Sequence, residues 1–267
     1  MYRPYHSGHR VLRRLVGFTL FACLAAGGLS YALSRGGAVP SASAASTSPA
    51  AGSGSNLSAA DARAMLEDPR MVLVNHSHKM PEDLTFTTKE CGSATAINKT
   101  LRTEAADAFL AMQKAAAAEG VTVWMQSGYR SVEYQTILYN NKVKHFCSKG
   151  LGEAEAKQKA ATIVNPPGYS EHNCGLAADL NSPEHTALDE GFEDTAAFRW
   201  LCAHAEEYGF ILRYPKDAEA VTEITYEPWH WRYVGRENAV LLNRSGLCLE
   251  DAIALLQRIA AGEKING

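Results

Sequence analysis

Hydrophobic and polar positions fall into three regimes along the chain. From Leu15 to Leu33 the residues are almost all apolar, and Arg3, Arg10, Arg13 and Arg14 precede them. From Gly36 to Leu57 nearly every position is Gly, Ala, Ser, Pro or Thr. From Ser58 onward, apolar, charged and aromatic residues mix as they do in folded domains. A positive flank followed by an apolar run reads as an export signal or membrane anchor, here over residues 1–35, with everything after it outside the cytoplasm. The run is just long enough to span a bilayer, and Ala32 and Ser34 offer the small residues of a cleavage site. Residues 36–57 have too little apolar surface to offset the entropy of ordering. They read as a flexible linker with an end-to-end distance of roughly 25 Å.

Residues 58–267 read as one domain. Ser58 caps a short helix through Met65. Met71 to Val74 is a short apolar run, expected as a strand leading into Asn75-His76-Ser77-His78. Arg102 to Ala118 has helical periodicity, with Ala105, Phe109 and Met112 on one face and Gly120 as its stop. Val121 to Gln126 is β-branched and aromatic, a strand, and Ser131 caps the helix that follows. Gly150-Leu151-Gly152 separates it from another helix reaching Ile163, and Pro166-Pro167-Gly168 forces a loop. Gly175–Leu180, Phe210–Arg213 and Trp229–Val234 read as strands. Thr195–Tyr208, Asn238–Leu242 and Leu249–Ala261 read as helices, and the acidic run from Glu190 to Asp194 as a solvated loop. Strands mixed irregularly with helices, without a βαβ rhythm, give an α+β class with a largely antiparallel sheet.

Composition narrows the picture further. Of 267 residues, roughly 200 remain for the domain, enough for one sizeable core. Formal net charge is −3 and no basic patch recurs, which argues against a nucleic-acid partner. The six cysteines include no CxxC pair, so zinc-ribbon and thioredoxin-like sites are not indicated. Cys23 lies in the apolar run, and the remaining five leave room for one or two disulfides.

Three stretches make poor sense as scaffold: Ser127-Gly128-Tyr129-Arg130-Ser131, Ser170-Glu171-His172-Asn173-Cys174-Gly175-Leu176-Ala177-Ala178-Asp179, and Glu227-Pro228-Trp229-His230. A catalytic zinc site needs three nitrogen or oxygen ligands and one open position, and His172, Asp179 and His230 can supply them. His172 precedes a strand and Asp179 lies near its end, so the loop must fold back, and Gly175 and Ala177 leave room for that approach. Pro228 disfavours a helix at Glu227, so this is an extended or turn element rather than a helical HExxH face. A non-ligand carboxylate so close to a ligand is placed to take a proton from water. His76, His78, His145, His185 and His204 stand outside such motifs and read as surface or packing residues.

SxHxxGxAxD followed by ExWH, with SGYRS upstream, resembles the VanY-type D-alanyl-D-alanine carboxypeptidases. The resemblance continues at Leu73-Val74-Asn75, Tyr134-Gln135, Pro167-Gly168-Tyr169, Gly209-Phe210-Ile211 and Arg213-Tyr214-Pro215, covering about residues 70–236. It implies a hedgehog/DD-peptidase-like fold with helices flanking the central sheet, and one Zn2+ per chain held by His172, Asp179 and His230. It further implies Glu227 as general base, Arg130 contacting the substrate or the developing oxyanion, and Ser170 helping to hold the peptide. Gln135, Trp229 and Tyr129 are implied as pocket residues. The implied reaction removes the terminal D-Ala of peptidoglycan stem peptides, outside the cytoplasm, by a chain either secreted to the wall or tethered through its N-terminal segment. The same site would serve an L,D-carboxypeptidase or a peptidoglycan endopeptidase. A non-catalytic zinc-stabilised wall-binding module is the reading of another class, and it has no need of Glu227.

Overall fold

The central strand of the domain, β4 (Ala177–Asn181), is wholly buried. Its alternation of small, acidic and aliphatic residues gives it two different faces. In a computed structural model, which describes residues 57–93 and 96–263, β4 pairs antiparallel with β3 (Trp124–Ser127) on one side and β6 (Glu227–Tyr233) on the other. β5 (Phe210–Tyr214) pairs antiparallel with β6 and completes a four-stranded sheet in the order β3-β4-β6-β5. Ala178, Leu180, Met125 and Trp231 belong to the main core, where Phe109 and Met112 of α2 (Thr103–Ala118) and Leu201 of α5 (Ala196–His204) also pack. A second core gathers Val234 with residues of α1 (Ala59–Glu67), α7 (Arg236–Ser245) and α8 (Leu249–Ala260), while the one-turn α6 (Glu219–Thr222) lies between β5 and β6 in the chain. α3 (Val132–Ser148) and α4 (Glu153–Ala161) pack on each other around Val143, Ala156 and Ala160. The α+β class and antiparallel sheet expected from the sequence are what the structure has.

The caps work as their residue types dictate. Ser58 and Asp61 form a reciprocal capping box at α1. Ser131 accepts the Tyr134 N–H at α3, and Thr195 that of Phe198 at α5.

Where the structure departs from the sequence expectation, a competing hydrogen bond usually explains it. Met71 to Val74 is not a strand: Pro69–Met71 is a 3-10 turn, and Asn75 bridges only His78. The Arg70 and Val72 carbonyls are taken by the Arg232 guanidinium at 2.8 and 2.9 Å, so this segment binds a side chain instead of a ladder. The strand expected from Val121 begins at Trp124, because the Val121 N–H closes on the Ala116 carbonyl and Gln113 Nε2 takes the Val123 carbonyl. Thr195–Tyr208 is helical, but its last turn, Ala205–Tyr208, tightens to 3-10 form. Glu190–Asp194 is a 3-10 turn, not a free loop: Phe192 is buried beneath it and Glu193 binds Lys216 and the Tyr226 hydroxyl. A hairpin of β1 (Thr88–Glu90) and β2 (Thr100–Arg102) was not legible, since β1 is polar and exposed along its length. The five cysteines among the described residues are all free. Residues 1–56, which carry the expected export segment and nearly all of the linker, lie outside the described residues, and no helix among those described is long and apolar enough to cross a membrane.

One glycine ties this fold to the candidate site. A Cβ on Gly128 would collide with the Thr100 carbonyl oxygen, and the Gly128 carbonyl itself binds His172. Gly128→Ala is therefore expected to cost about 1–3 kcal/mol of overpacking strain, measurable as a lowered thermal midpoint; an unchanged midpoint would show that the β2–β3 approach relaxes freely.

Candidate active site

Strand register does most of the assembly. Asp179 sits directly opposite Ser127 on β3 and opposite His230 on β6, so these three share one row across the sheet. His172 arrives from the other direction, in a buried 3-10 turn over Glu171–Cys174 that ends at Gly175 with φ +69°. That left-handed geometry suits glycine, and a Cβ there would press on the Arg102 backbone nitrogen at 3.0 Å. The Gly175 carbonyl accepts the Arg102 N–H at 2.8 Å, fixing the turn to the start of α2. The loop folds back as the sequence required. Glu227 reaches the same spot through a bulge: Leu212 pairs with Trp231 but Tyr214 pairs with Glu227, so β6 carries extra residues between these pairs.

His172, Asp179 and His230 are all buried, and one ligand atom from each lies within 4.8 Å of the others. His172 Nε2 is 3.2 Å and His230 Nδ1 is 3.4 Å from Asp179 Oδ1. That oxygen is buried and has no hydrogen-bond partner among the described residues. An orphaned carboxylate oxygen facing two imidazole nitrogens is costly on its own and is what a divalent cation would satisfy. Two nitrogens and one oxygen form a donor set suited to catalytic zinc with an open position. The residues fit the metal.

Two of the three candidate ligands are oriented by a second contact. His172 Nδ1 lies 2.7 Å from the Gly128 carbonyl, so it carries the proton and Nε2 is left to face Asp179. Asp179 Oδ2 is bound by Arg130 Nη2, which leaves Oδ1 as its free atom. Arg130 Nε donates to Ser127 Oγ at 3.0 Å, and the Arg130 carbonyl accepts from Asn173 at 2.8 Å. Glu227 Oε2 stands 3.5 Å from His230 Nδ1.

Burial and neighbours set the charges. Burial pushes the Glu227 carboxyl up to about 8, against the pull of His230. Burial and then the Arg130 guanidinium lower His172 to about 4, against Asp179. For His230 burial works downward, but the facing carboxylates of Asp179 and Glu171 carry it up to about 9. Burial opposes ionisation of Asp179, yet His172 and Arg130 hold it well below the ordinary carboxylate range.

The other expected site residues are less uniformly placed. Tyr129 is half-buried and meets Phe86 edge to face at 5.6 Å. Gln135 is buried and gives its Nε2 to the Asn165 carbonyl at 2.7 Å. Ser170 is buried just before the His172 turn, where its carbonyl accepts the Asn173 N–H. Trp229 is partly exposed and packs against the main core.

Sequence reasoning passed over the layer that supports the site. Glu171 is fully buried, and its Oε1 accepts from Arg213 Nε and Arg232 Nη1, each at 2.7 Å. Tyr214 sets its ring 4.7 Å from that of His230. A signal existed: Arg213 and Arg232 are lone charges inside aromatic and aliphatic strands, where an unpartnered guanidinium would be untenable.

Comparisons with known proteins agree with this geometry. The family model described as VanY, D-alanyl-D-alanine carboxypeptidase, matches residues 98–236. A D-alanyl-D-alanine carboxypeptidase of Enterococcus faecalis (strain ATCC 700802 / V583) is 36% identical over 183 residues, which cover 68% of this chain and 64% of that protein. A crystal structure of the vancomycin-resistance D,D-pentapeptidase VanY from a VanB-type cassette, a mutant in complex with Zn(II), superposes with a TM-score of 0.60 at 34% identity, covering 69% of this chain and 98% of that one. VanYB in complex with D-alanine-D-alanine superposes with a TM-score of 0.62 at 34% identity, covering 69% and 97%. These proteins share the hedgehog/DD-peptidase fold with the present chain.

If the three side chains act together on one ion, losing the central one should release it. Asp179→Ala is expected to lower zinc affinity by more than the about 10–100-fold that loss of an outer-shell partner costs. Elemental analysis after dialysis checks this, and full retention of zinc would place the ion elsewhere.

Proposed function

Since this chain belongs to the VanY D-alanyl-D-alanine carboxypeptidase family and is a zinc metallopeptidase, we propose that it removes the terminal D-Ala of peptidoglycan stem peptides with His172, Asp179 and His230 as metal ligands and Glu227 as general base. The observation that carries the assignment of roles is the convergence of three buried ligand atoms within 4.8 Å, with the Glu227 carboxylate 3.5 Å from one of them. A zinc ion held there would supply Lewis acidity, polarising the scissile carbonyl and making water nucleophilic near neutral pH.

The rest of the chemistry falls to the chain. Glu227, with its carboxyl raised toward neutrality by burial, accepts a proton from the attacking water and returns it to the departing D-Ala amine. A base whose proton affinity matches the working pH can perform both transfers. Arg130 spends one donor on Ser127 and one on Asp179. A guanidinium has five, so others in the same plane can meet the carbonyl oxygen as it gains charge, or the terminal carboxylate of the peptide. On the family pattern Ser170 helps to hold the peptide, and Gln135, Tyr129 and Trp229 are pocket residues, of which Tyr129 and Trp229 are partly exposed.

Such a reaction takes place outside the cytoplasm, where peptidoglycan is. We place the chain there by way of residues 1–35, as a cleaved signal or a membrane anchor, with residues 36–57 as the tether; the arginine-flanked apolar run supports this.

The test pairs product with metal. The native chain should convert a stem pentapeptide ending in D-Ala-D-Ala to the tetrapeptide plus free D-Ala and leave tetrapeptide intact, as read by mass spectrometry. Attack on the tetrapeptide instead would move the assignment to an L,D-carboxypeptidase. Glu227→Gln should keep its zinc while turnover drops about 10²–10⁴-fold; an active Glu227→Gln chain would remove Glu227 as the base.

A further inference from the structure

The two histidines of the site are prepared in different ways. His172 gives its Nδ1 proton to a main-chain carbonyl, that of Gly128, at 2.7 Å. His230 faces the site with Nδ1, so its Nε2 points away from Asp179 and Glu227. Nε2 is buried and lacks a hydrogen-bond partner among the described residues, and the group it faces, at 3.5 Å, is Glu171 Oε2. Glu171 Oε2 is itself buried and without a hydrogen-bond partner among the described residues. Two orphaned polar atoms, one able to donate and one able only to accept, oppose each other just beyond full hydrogen-bond length.

Glu171 is held with unusual firmness for a side chain that touches no reacting atom. Its side chain and those of Arg213 and Arg232 are all 0% exposed. Its Oε1 takes one hydrogen bond from each guanidinium. The far fork of Arg213 grips Glu250 at 2.9 and 2.6 Å, and Glu250 also accepts from Asn75 at 3.1 Å. The far end of Arg232 binds the Arg70 and Val72 carbonyls, and its Nε binds the Tyr233 carbonyl. Two carboxylates thus balance two guanidiniums, and Arg232 stands on the same strand as His230. Only one oxygen of Glu171 is committed; the other is presented to the imidazole.

We infer that Glu171, clamped between Arg213 and Arg232, is the positioning residue for His230: it accepts the Nε2 proton and so presents Nδ1 as the ligand atom. A metal-bound imidazole that donates its second N–H to a carboxylate is fixed in tautomer and ring orientation and is a stronger ligand. The inference rests on the metallopeptidase reading above and extends it beyond residues 98–236. Glu250 on α8 and the Arg70–Asn75 segment hold the clamp in place. The N- and C-terminal parts of the domain therefore contribute to metal affinity without approaching the metal.

Two substitutions separate charge from contact. Glu171→Gln removes the negative charge. Glu171→Asp keeps both guanidiniums neutralised but draws the carboxylate back from His230. The readouts are zinc affinity by competition with a chromophoric chelator, the visible absorption of the cobalt(II)-substituted chain, and the thermal midpoint of the metal-free chain as a control for folding. Both variants are expected to lose about 10–100-fold in zinc affinity and to alter the cobalt spectrum. A folded Glu171→Asp chain with native affinity and native spectrum would overturn the inference, because a merely structural Glu171 would move only the thermal midpoint. Should neither variant fold, the native zinc-loaded chain labelled with 15N-histidine decides by nuclear magnetic resonance. His230 protonated on Nε2 is the expected tautomer, and a proton on Nδ1 overturns it. A native chain that binds no zinc would instead bring down the metallopeptidase reading itself, so the two failures are distinguishable.

Discussion

A carboxylate at the centre of a sheet is the constraint on which the rest of this structure depends. Asp179 occupies an inner strand, 3% exposed, with Ser127 opposite on one side and His230 on the other. Taking a carboxylate out of water costs several kcal/mol unless cations and donors surround it. Arg130 and the two histidines are arranged to do so, yet they satisfy only one of its oxygens fully. The second oxygen is left for something the chain itself does not provide. Sheet register, the glycine turn after His172 and the bulge before His230 are the local devices that bring that oxygen, two imidazoles and a second carboxylate to one point.

Beneath this site lies a layer of paired charge that does the structural work. Glu171, Arg213, Arg232 and Glu250 form a balanced buried set that reaches from the loop before β4 to the first turn of α8. Removing one member of such a set leaves its partner uncompensated, typically at about 3–5 kcal/mol. The arrangement ties β5 and β6 to the turn before β4 and to α8. Catalytic sites built on strands and backed by locked neighbours hold their geometry better than sites on loops.

The candidate site was more legible in the chain's sequence than the fold was. His172, Asp179, His230, Glu227 and Arg130 stood out because their residue types, clustered and ordered, serve chemistry better than packing, and the structure brings all five together. Helices with clear caps, such as those begun by Ser58, Ser131 and Thr195, were legible because capping is a local interaction. What local pattern could not reveal were bonds made across the chain. Arg232 captures the carbonyls of Arg70 and Val72, far away in sequence, and so an apolar run that reads as a strand becomes a turn and a coil. The exposed hairpin of β1 and β2 carries no hydrophobic alternation to read. Glu171 lay in plain view beside His172, but its importance depends on two arginines that only the folded sheet sets against it.

These features describe a peptidase that places much of its precision in groups that never meet the substrate. The proposed chemistry is brief: a buried ligand triad, a buried base and a guanidinium. Its accuracy comes from the register of one strand and from charges buried behind it. The most direct test of that account is X-ray absorption at the zinc edge on the loaded native chain. It should show a first shell of nitrogen and oxygen only, at about 2.0–2.2 Å, with the outer-shell scattering of two imidazoles. A sulfur shell near about 2.3 Å, or the absence of imidazole scattering, would contradict it.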